Sequence, residues 1–427
     1  MAHSGSEQQF VTVEEYRSRV LELIAPLPPV TTALSNCLGR TLAEAVIAKV
    51  DVPGFDNSAM DGYAIRLSDA LGASESTPIE LEVTGDIAAG SALNLELLPG
   101  CAIRIMTGAP IPSGADCVVP VEDTDRDFER GALCGSMRIQ VLREPKPDAH
   151  IRPAGADIRL GAQVLSKGIA LTARDLSAAA ATGNAQLPVI PAPRVGIIST
   201  GTELQRPGEP LGSGQIYDSN SMLLAGLVIE AGAIAVPLES TTDDPAQLYR
   251  QLEVQAPKLD LIVTSGGVSV GAYDVVKEVL TPLGFWFGKV KMQPGKPQGC
   301  GTLEDGTPLI ALPGNPVSVF VSFEAFVRPA IQKLSGRLEL MRPTITAVAK
   351  QAWRSPAGKI QFMPVQIINE SSIDELNRCE PFVIPATSGG SGSHLVASLA
   401  KADGLAIIPE SVEEVREGDQ VEIIDVR

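Results

Sequence analysis

Histidine is nearly missing from this chain. Its 427 residues include only His3, His150 and His394, too scattered for a multi-histidine metal site and too few for most histidine acid–base chemistry. The six cysteines (Cys37, Cys101, Cys117, Cys134, Cys300, Cys379) contain no C-x-x-C pair. That argues against a zinc ribbon, a redox dithiol or a disulfide framework, and fits a reducing cytoplasm. Any metal is therefore expected to be hard and oxygen-bound. Positive charge is also short: 34 Lys and Arg against 51 Asp and Glu give a formal net charge of −17. A nucleic-acid backbone would be repelled, so no nucleic-acid partner is expected, while a local basic pocket for a small anion stays open. No apolar run is long enough to span a bilayer, and the polar first residues lack an apolar signal core, so no membrane association is expected.

The length allows about three domains. Residues 11–25 read as an amphipathic helix: Thr12 caps it, Glu15 completes a capping box, and Val13, Tyr16, Val20, Leu23 and Ile24 form its apolar face. Residues 33–48 read as mostly helix. The stretch Asp51-Val-Pro-Gly-Phe-Asp-Asn-Ser-Ala-Met-Asp-Gly-Tyr-Ala64 mixes turn formers with Phe55, Met60 and Tyr63. It reads either as a binding loop held by buried aromatics or as a domain crossover. Residues 79–141 carry strand-like runs broken by Gly and Pro, which predicts a small β domain. Because residues 172–183 again read as a helix with a glycine C-cap, the β segment is expected to be inserted into a helical domain. Residues 188–193 read as a linker. Beyond residue 340, strands are expected at 344–350, 360–368, 395–398, 405–408 and 420–425, a small barrel or sandwich. The run at 388–393 is either a flexible loop or a nest for an oxyanion.

Between residues 194 and 336 strands and helices alternate, which predicts a mainly parallel sheet with helices on both faces. Ligands of such sheets bind beyond the carboxyl ends of the strands. Three glycine turns fall there: Ser199-Thr-Gly-Thr-Glu203, Ser265-Gly-Gly267 and Pro313-Gly-Asn-Pro316. Their recurrence predicts one shared crevice. The middle turn leads to Asp274 at a helix start. Backbone N–H groups at such a turn suit a phosphate, and a carboxylate beside a phosphate needs a cation, usually magnesium. The plainer alternative is that Asp274 caps the helix. Glu203, Asp218 and Asp243 are open to the same two readings. Lys289, Lys291 and Lys296 gather around a Pro-Gly-Lys-Pro turn that would hold Lys296 rigidly as an anion-positioning cation.

Taken in order, the stretch 51–64, Ile103-Arg-Ile-Met-Thr-Gly-Ala109, Ser199-Thr-Gly-Thr-Glu-Leu204, Thr264-Ser-Gly-Gly-Val-Ser-Val-Gly271, Pro294-Gly-Lys-Pro297, Leu312-Pro-Gly-Asn-Pro-Val-Ser318 and Gly392-Ser-His-Leu395 resemble the MoeA family of molybdopterin molybdenumtransferases, a group that includes the C-terminal half of gephyrin. The resemblance implies a multidomain α/β chain. Its parts would be a helical N-terminal domain (7–50 and 145–190), an inserted β-rich domain (51–144), a central three-layer, adenylyltransferase-like α/β domain (191–338) and a C-terminal β-barrel-like domain (339–427). It implies an elongated homodimer, with the site between the β-rich domain of one subunit and the third and fourth domains of its partner. The implied reaction joins molybdate to adenylylated molybdopterin and hydrolyses the adenylyl bond, with Mg2+, so that molybdenum cofactor and AMP leave. A transient contact with molybdopterin adenylyltransferase is implied too.

By motif position, the resemblance assigns Asp243 and Asp274 to metal and phosphates, and Gly266, Gly267 and Ser269 to the phosphate-side turn. Lys296, Pro297, Ser269 and Ser393 fall on the molybdate side. Asp218, Gly314 and Asn315 would bind substrate, and Asp61, Thr107, Glu203 and Lys289 match positions tied to activity. Two places depart from the family pattern: Gln293 stands where many members have lysine, and residues 358–364 offer Lys359 but no arginine. The competing readings are the adenylyltransferase itself, which the full length argues against, and a non-catalytic scaffold.

Overall fold

The computed structural model describes residues 10–91, 95–126, 137–238, 244–268, 274–373, 379–387, 392–393 and 395–427. Its centre is a seven-stranded sheet in the order Phe10–Val11, Trp286–Val290, Pro297–Thr302, Pro308–Leu312, Leu261–Ser265, Arg194–Ser199, Ile234–Pro237. The last four run parallel, and Pro297–Thr302 is antiparallel to both neighbours. Alternate residues of each strand feed two cores, as the pleat dictates. Leu261, Val263, Ile310 and Leu312 pack with the helices Asn220–Glu230 and Pro316–Ser322, while Ile262, Leu309 and Ala311 pack with Pro245–Gln255 and Val275–Leu280. Register aligns Ser199 with Ser265 and Ser265 with Leu312, so the three glycine turns leave the sheet side by side.

The first helix, Val13–Glu22, has the expected capping box: Glu15 N donates to Thr12 Oγ1 at 3.1 Å and Thr12 N to Glu15 Oε2 at 2.7 Å. It does not found a helical domain. Its buried Tyr16 donates to Gly299 O at 2.8 Å, and Arg17 Nε donates to Ala325 O at 3.0 Å, so it lies against the central layer. The expected helical N-terminal domain needs further correction. Residues 33–48 hold the end of the strand Val30–Ala33, one short 3-10 turn, and the strands Thr41–Leu42 and Val46–Ile47. The expected linker overlaps the strand Gln186–Ile190, which pairs with both Val30–Ala33 and Thr41–Leu42. The alanine-rich helix does form, at Ala173–Ala181.

The inserted region is a five-stranded sheet ordered Met137–Val141, Ile79–Ile87, Cys101–Ile105, Gly62–Ile65, Cys117–Pro120. The C-terminal region closes on itself through Ile360–Ile373, Cys379–Pro385, Thr344–Ala349, Gln420–Asp425 and Gly404–Ile408, whose last strand pairs back with the first. Residues 395–398, expected as a strand, belong instead to the helical turn Val396–Leu399. Among the described residues, no helix is long and apolar enough to cross a membrane.

Candidate functional site

The three turns floor a cleft of about 1150 Å³ at the carboxyl ends of the parallel strands. Asn220 ties them together. Its Nδ2 donates to Ser265 Oγ at 2.8 Å and to Gly314 O at 2.7 Å, while its buried Oδ1 has no partner among the described residues. Thr200 N donates to Ser265 O at 3.0 Å, and Gly266 N donates to Leu312 O at 3.1 Å. The Gly266 amide is therefore not the bare donor expected of the turn; among the described residues, Gly267 N makes no such bond. Both glycines are required. Gly266 has φ +96°, and a Cβ there would lie 2.8 Å from Thr200 O; Gly267 has φ +70°, and its Cβ would lie 2.7 Å from Val276 Cγ2.

The carboxylates divide by their partners. Asp218 is saturated: Ser221 N (3.0 Å), Ser221 Oγ (2.5 Å) and Ser199 Oγ (3.2 Å) all donate to it. Asp244 caps the helix Pro245–Gln255, accepting from Ala246 N at 2.9 Å. Asp274 occupies the equivalent N-cap position of Val275–Leu280 yet makes no capping bond, and its Oδ2 is buried without a partner among the described residues. A buried carboxylate oxygen left so is costly unless a cation or donor joins it. Asp274 thus fits a hard cation, whereas the capping alternative does not hold for it. Among the described residues, no three His, Cys, Asp or Glu side chains gather into a metal cage.

The cleft is also lined by two lysines, which come from two regions. Lys296 sits on the turn between the strands Met292–Gln293 and Pro297–Thr302, and Lys359 precedes the barrel strand Ile360–Ile373. Met292–Gln293 pairs with Ile360 and Gln361, which joins the two. Ser393 Oγ accepts from Asn315 Nδ2 at 3.0 Å, which draws the 392–393 segment to the third turn.

Of the residues proposed from sequence, the cleft gathers Glu203, Asp218, Gly266, Gly267, Asp274, Lys296, Pro297, Gly314, Asn315 and Ser393. Asp243 and Ser269 lie outside the described residues. Lys289 does not line it. Asp61 and Thr107 do not either; they meet each other in the inserted sheet, where Thr107 N donates to Asp61 Oδ1 at 2.7 Å. The loop 51–64 is not held by buried aromatics throughout: Tyr63 is buried but Phe55 is 50% exposed. Its polar residues work as staples, with Asp51 accepting from Leu160 N and Asp56 from Ala154 N, each at 2.7 Å.

Residues 11–183 match the MoeA N-terminal region (domain I and II), residues 196–333 a probable molybdopterin binding domain, and residues 346–426 the MoeA C-terminal region (domain IV). The chain belongs to the MoeA family. It is 43% identical over 422 residues to molybdopterin molybdenumtransferase 2 of Mycobacterium tuberculosis, covering 97% of this chain and 99% of that one. It is 35% identical over 420 residues to the molybdopterin molybdenumtransferase of Haemophilus influenzae, covering 97% and 98%. The molybdopterin biosynthesis moea protein from Pyrococcus horikosii matches at TM-score 0.80 with 31% identity, over 98% of this chain and all of that one.

Among the lining residues of this MoeA-family cleft, Tyr217 lies outside every motif, while Thr200 and Asn220 fall within the stretches Ser199-Thr-Gly-Thr-Glu203 and Asp218-Ser-Asn220 without an assigned role. Tyr217 stands in a two-residue strand paired with Leu204–Gln205, a signal too short to read from periodicity. Asn220 sits next to the flagged Asp218, but its role as the tie between turns depends on residues 45 and 94 positions away.

Proposed function

We propose that this chain is the molybdenum insertase of molybdenum cofactor assembly, joining molybdate to adenylylated molybdopterin and releasing AMP and the finished cofactor. Membership of a family whose curated members are named molybdopterin molybdenumtransferase makes it a transferase of molybdenum cofactor biosynthesis. The finer reading rests on one juxtaposition: a single cleft has Asp274, whose Oδ2 is buried without a partner among the described residues, at one turn and Lys296 on a basic turn.

Both substrates are anions, so the chemistry needs separate places for two negative groups and little else from the chain. Gly266 and Gly267 let the backbone approach phosphate closely, because no side chain intervenes. Asp274, with Asp243, would hold Mg2+, which when bound supplies charge neutralisation at phosphate oxygens. Lys296 and Lys359 face molybdate as point charges, and Ser393 adds a hydroxyl. Asp218 and Asn220 fix the nucleotide side, and Glu203 lies at its rim. No protein nucleophile is required, in keeping with a chain that has three histidines. Asp61 and Thr107 lie away from the cleft of their own chain, which supports a homodimer in which the inserted sheet of one subunit completes the site of the other. The division 7–50 with 145–190, 51–144, 191–338 and 339–427 places the cleft between the third and fourth parts. We place the enzyme in the cytoplasm, in transient contact with the adenylyltransferase that supplies its substrate.

AMP release from adenylylated molybdopterin, followed with and without molybdate, tests the proposal. Wild type should need molybdate, and Asp274→Asn should fall by at least about tenfold, the usual cost of losing a metal-holding partner. No turnover with verified substrate sinks the insertase reading; equal turnover in both proteins removes Asp274 from the mechanism.

A further inference from the structure

Lys289 and Lys296 present a physical problem. Both are cations in an acidic chain, the strand that carries one pairs with the strand that follows the other, and among the described residues neither has a carboxylate within ion-pair distance. What they share is an aromatic ring. Phe10, from the two-residue strand at the start of the described chain, pairs in register with Lys289 at the sheet edge. Its ring centroid is 4.9 Å from Lys296 Nζ and 5.9 Å from Lys289 Nζ, within the reach at which a ring face attracts an ammonium. Lys291 N donates to Val11 O at 2.8 Å and fixes the strand there. Phe10 stays 42% exposed, so burial alone does not account for its place.

We infer that Phe10 is a positioning residue that draws Lys289 and Lys296 into one doubly charged wall for the oxyanion substrate. The ring offsets the repulsion between two ammonium groups, and with no carboxylate among the described residues in ion-pair reach the pair is left to attract a dianion. This explains how Lys289, which does not line the cleft itself, acts on the cleft through a neighbour that does. The inference rests on the insertase reading for the identity of the anion, but the geometry has its own readout.

The test uses full-length protein with 13Cε-labelled lysine, its signals assigned with Lys289→Arg and Lys296→Arg. In wild type the Hε protons of both lysines should be shifted upfield by the ring; Phe10→Leu should abolish the shift and Phe10→Trp should keep it. In AMP release, Phe10→Leu should raise the half-saturating molybdate about three- to fivefold with kcat within about twofold, while Phe10→Trp should match wild type. If wild type releases no AMP, the insertase reading fails by itself. Molybdate titration of the lysine signals then decides the inference, which requires a weaker midpoint in Phe10→Leu. Absence of the upfield shift in wild type, or an unchanged molybdate midpoint once Phe10→Leu has lost it, overturns the positioning role.

Discussion

Alanine at Gly267 adds one methyl group where the fold has no room for it. The new Cβ would stand 2.7 Å from Val276 Cγ2, 2.8 Å from Val276 Cβ and 3.1 Å from the Val276 backbone nitrogen. Val276 is fully buried and β-branched, so within the helix Val275–Leu280 it has one dominant rotamer and cannot swing aside. Holding φ at +70° costs a residue with a Cβ about 1–2 kcal/mol. Overpacking a closed core adds about 1–3 kcal/mol, for a combined loss of about 2–5 kcal/mol. Gly314, in the neighbouring turn, provides the control: its nearest neighbour to a new Cβ is Gly266 Cα at 3.5 Å, an ordinary contact, and its φ is not left-handed. Gly314→Ala should stay within about 0.5 kcal/mol of wild type. Of the two tryptophans, Trp286 lies in the central sheet and Trp353 in the C-terminal region, so a Trp353→Phe background lets Trp286 fluorescence report urea unfolding of the central layer alone. The urea midpoint should fall clearly for Gly267→Ala and not for Gly314→Ala. Equal midpoints for Gly267→Ala and its parent, or an equal fall for both variants, would refute the packing assigned to this turn.

Two further outcomes follow from buried groups. Glu324, whose side chain is 1% exposed, accepts from Arg328 Nε (2.7 Å), Arg328 Nη2 (2.9 Å) and Arg342 Nε (3.0 Å), so Glu324→Gln keeps the shape but leaves buried guanidinium charge unbalanced. The same assay should register a loss of about 3–5 kcal/mol, and wild-type stability would show that shape rather than charge holds the cluster. Burial, aided by Asp116, pushes the Cys117 thiol up to about 12, and burial pushes Cys300 up to about 11, from an ordinary 9.0. Their folded values are raised, so the stability they contribute is complete below pH 9 and is lost as pH climbs from there toward 11 and 12. Urea midpoints between pH 8 and 11 should fall less steeply in Cys117→Ala and Cys300→Ala than in wild type; parallel curves would exclude the thiols as the cause.

The central layer was legible because its signals are local. An apolar run, a glycine turn and a helix start follow one another within about twenty residues, and the strand-end rule then places the cleft. What Asp274 does there was not legible. Sequence puts it at an N-cap beside a glycine turn, and Asp244 stands at a comparable helix start; one caps and the other does not, which depends on backbone angles that composition does not carry. Residues 33–48 misled for a different reason. Their small apolar residues suit a helix, but Gln186–Ile190, more than 130 positions away, offers them backbone partners that outweigh propensity. The strand Cys379–Pro385 is not among the strands expected from sequence; it carries Pro381 and Pro385, residues that seldom mark a strand, yet both take partners in Ile360–Ile373. Residues 395–398 are a short apolar run of the kind that fits either periodicity.

The basic wall belongs to neither the central sheet nor the barrel alone. The turn that carries Lys296 is anchored on one side by Pro297–Thr302 in the central sheet and on the other by Met292–Gln293, which pairs with Ile360 and Gln361 of the barrel strand. Beneath it, the fully buried Gln298 donates from Nε2 to Gly295 O at 2.6 Å and to Ser322 Oγ at 2.7 Å, and a Cβ at Gly295 would lie 2.8 Å from that same hydroxyl. A rotation of the barrel would therefore pull on Met292–Gln293 and move Lys296, as well as carrying Lys359 with it. The Glu324 cluster opposes such a rotation, since Arg342 sits in the segment that leads from the last central helix, Arg328–Leu334, into the first barrel strand, Thr344–Ala349. Distance between the two cationic side chains and the Asp274 turn is thus set by interdomain pairing rather than by either domain's own core. That arrangement makes the orientation of the barrel, and not only the identity of the lining residues, a determinant of how charge is spaced across this cleft.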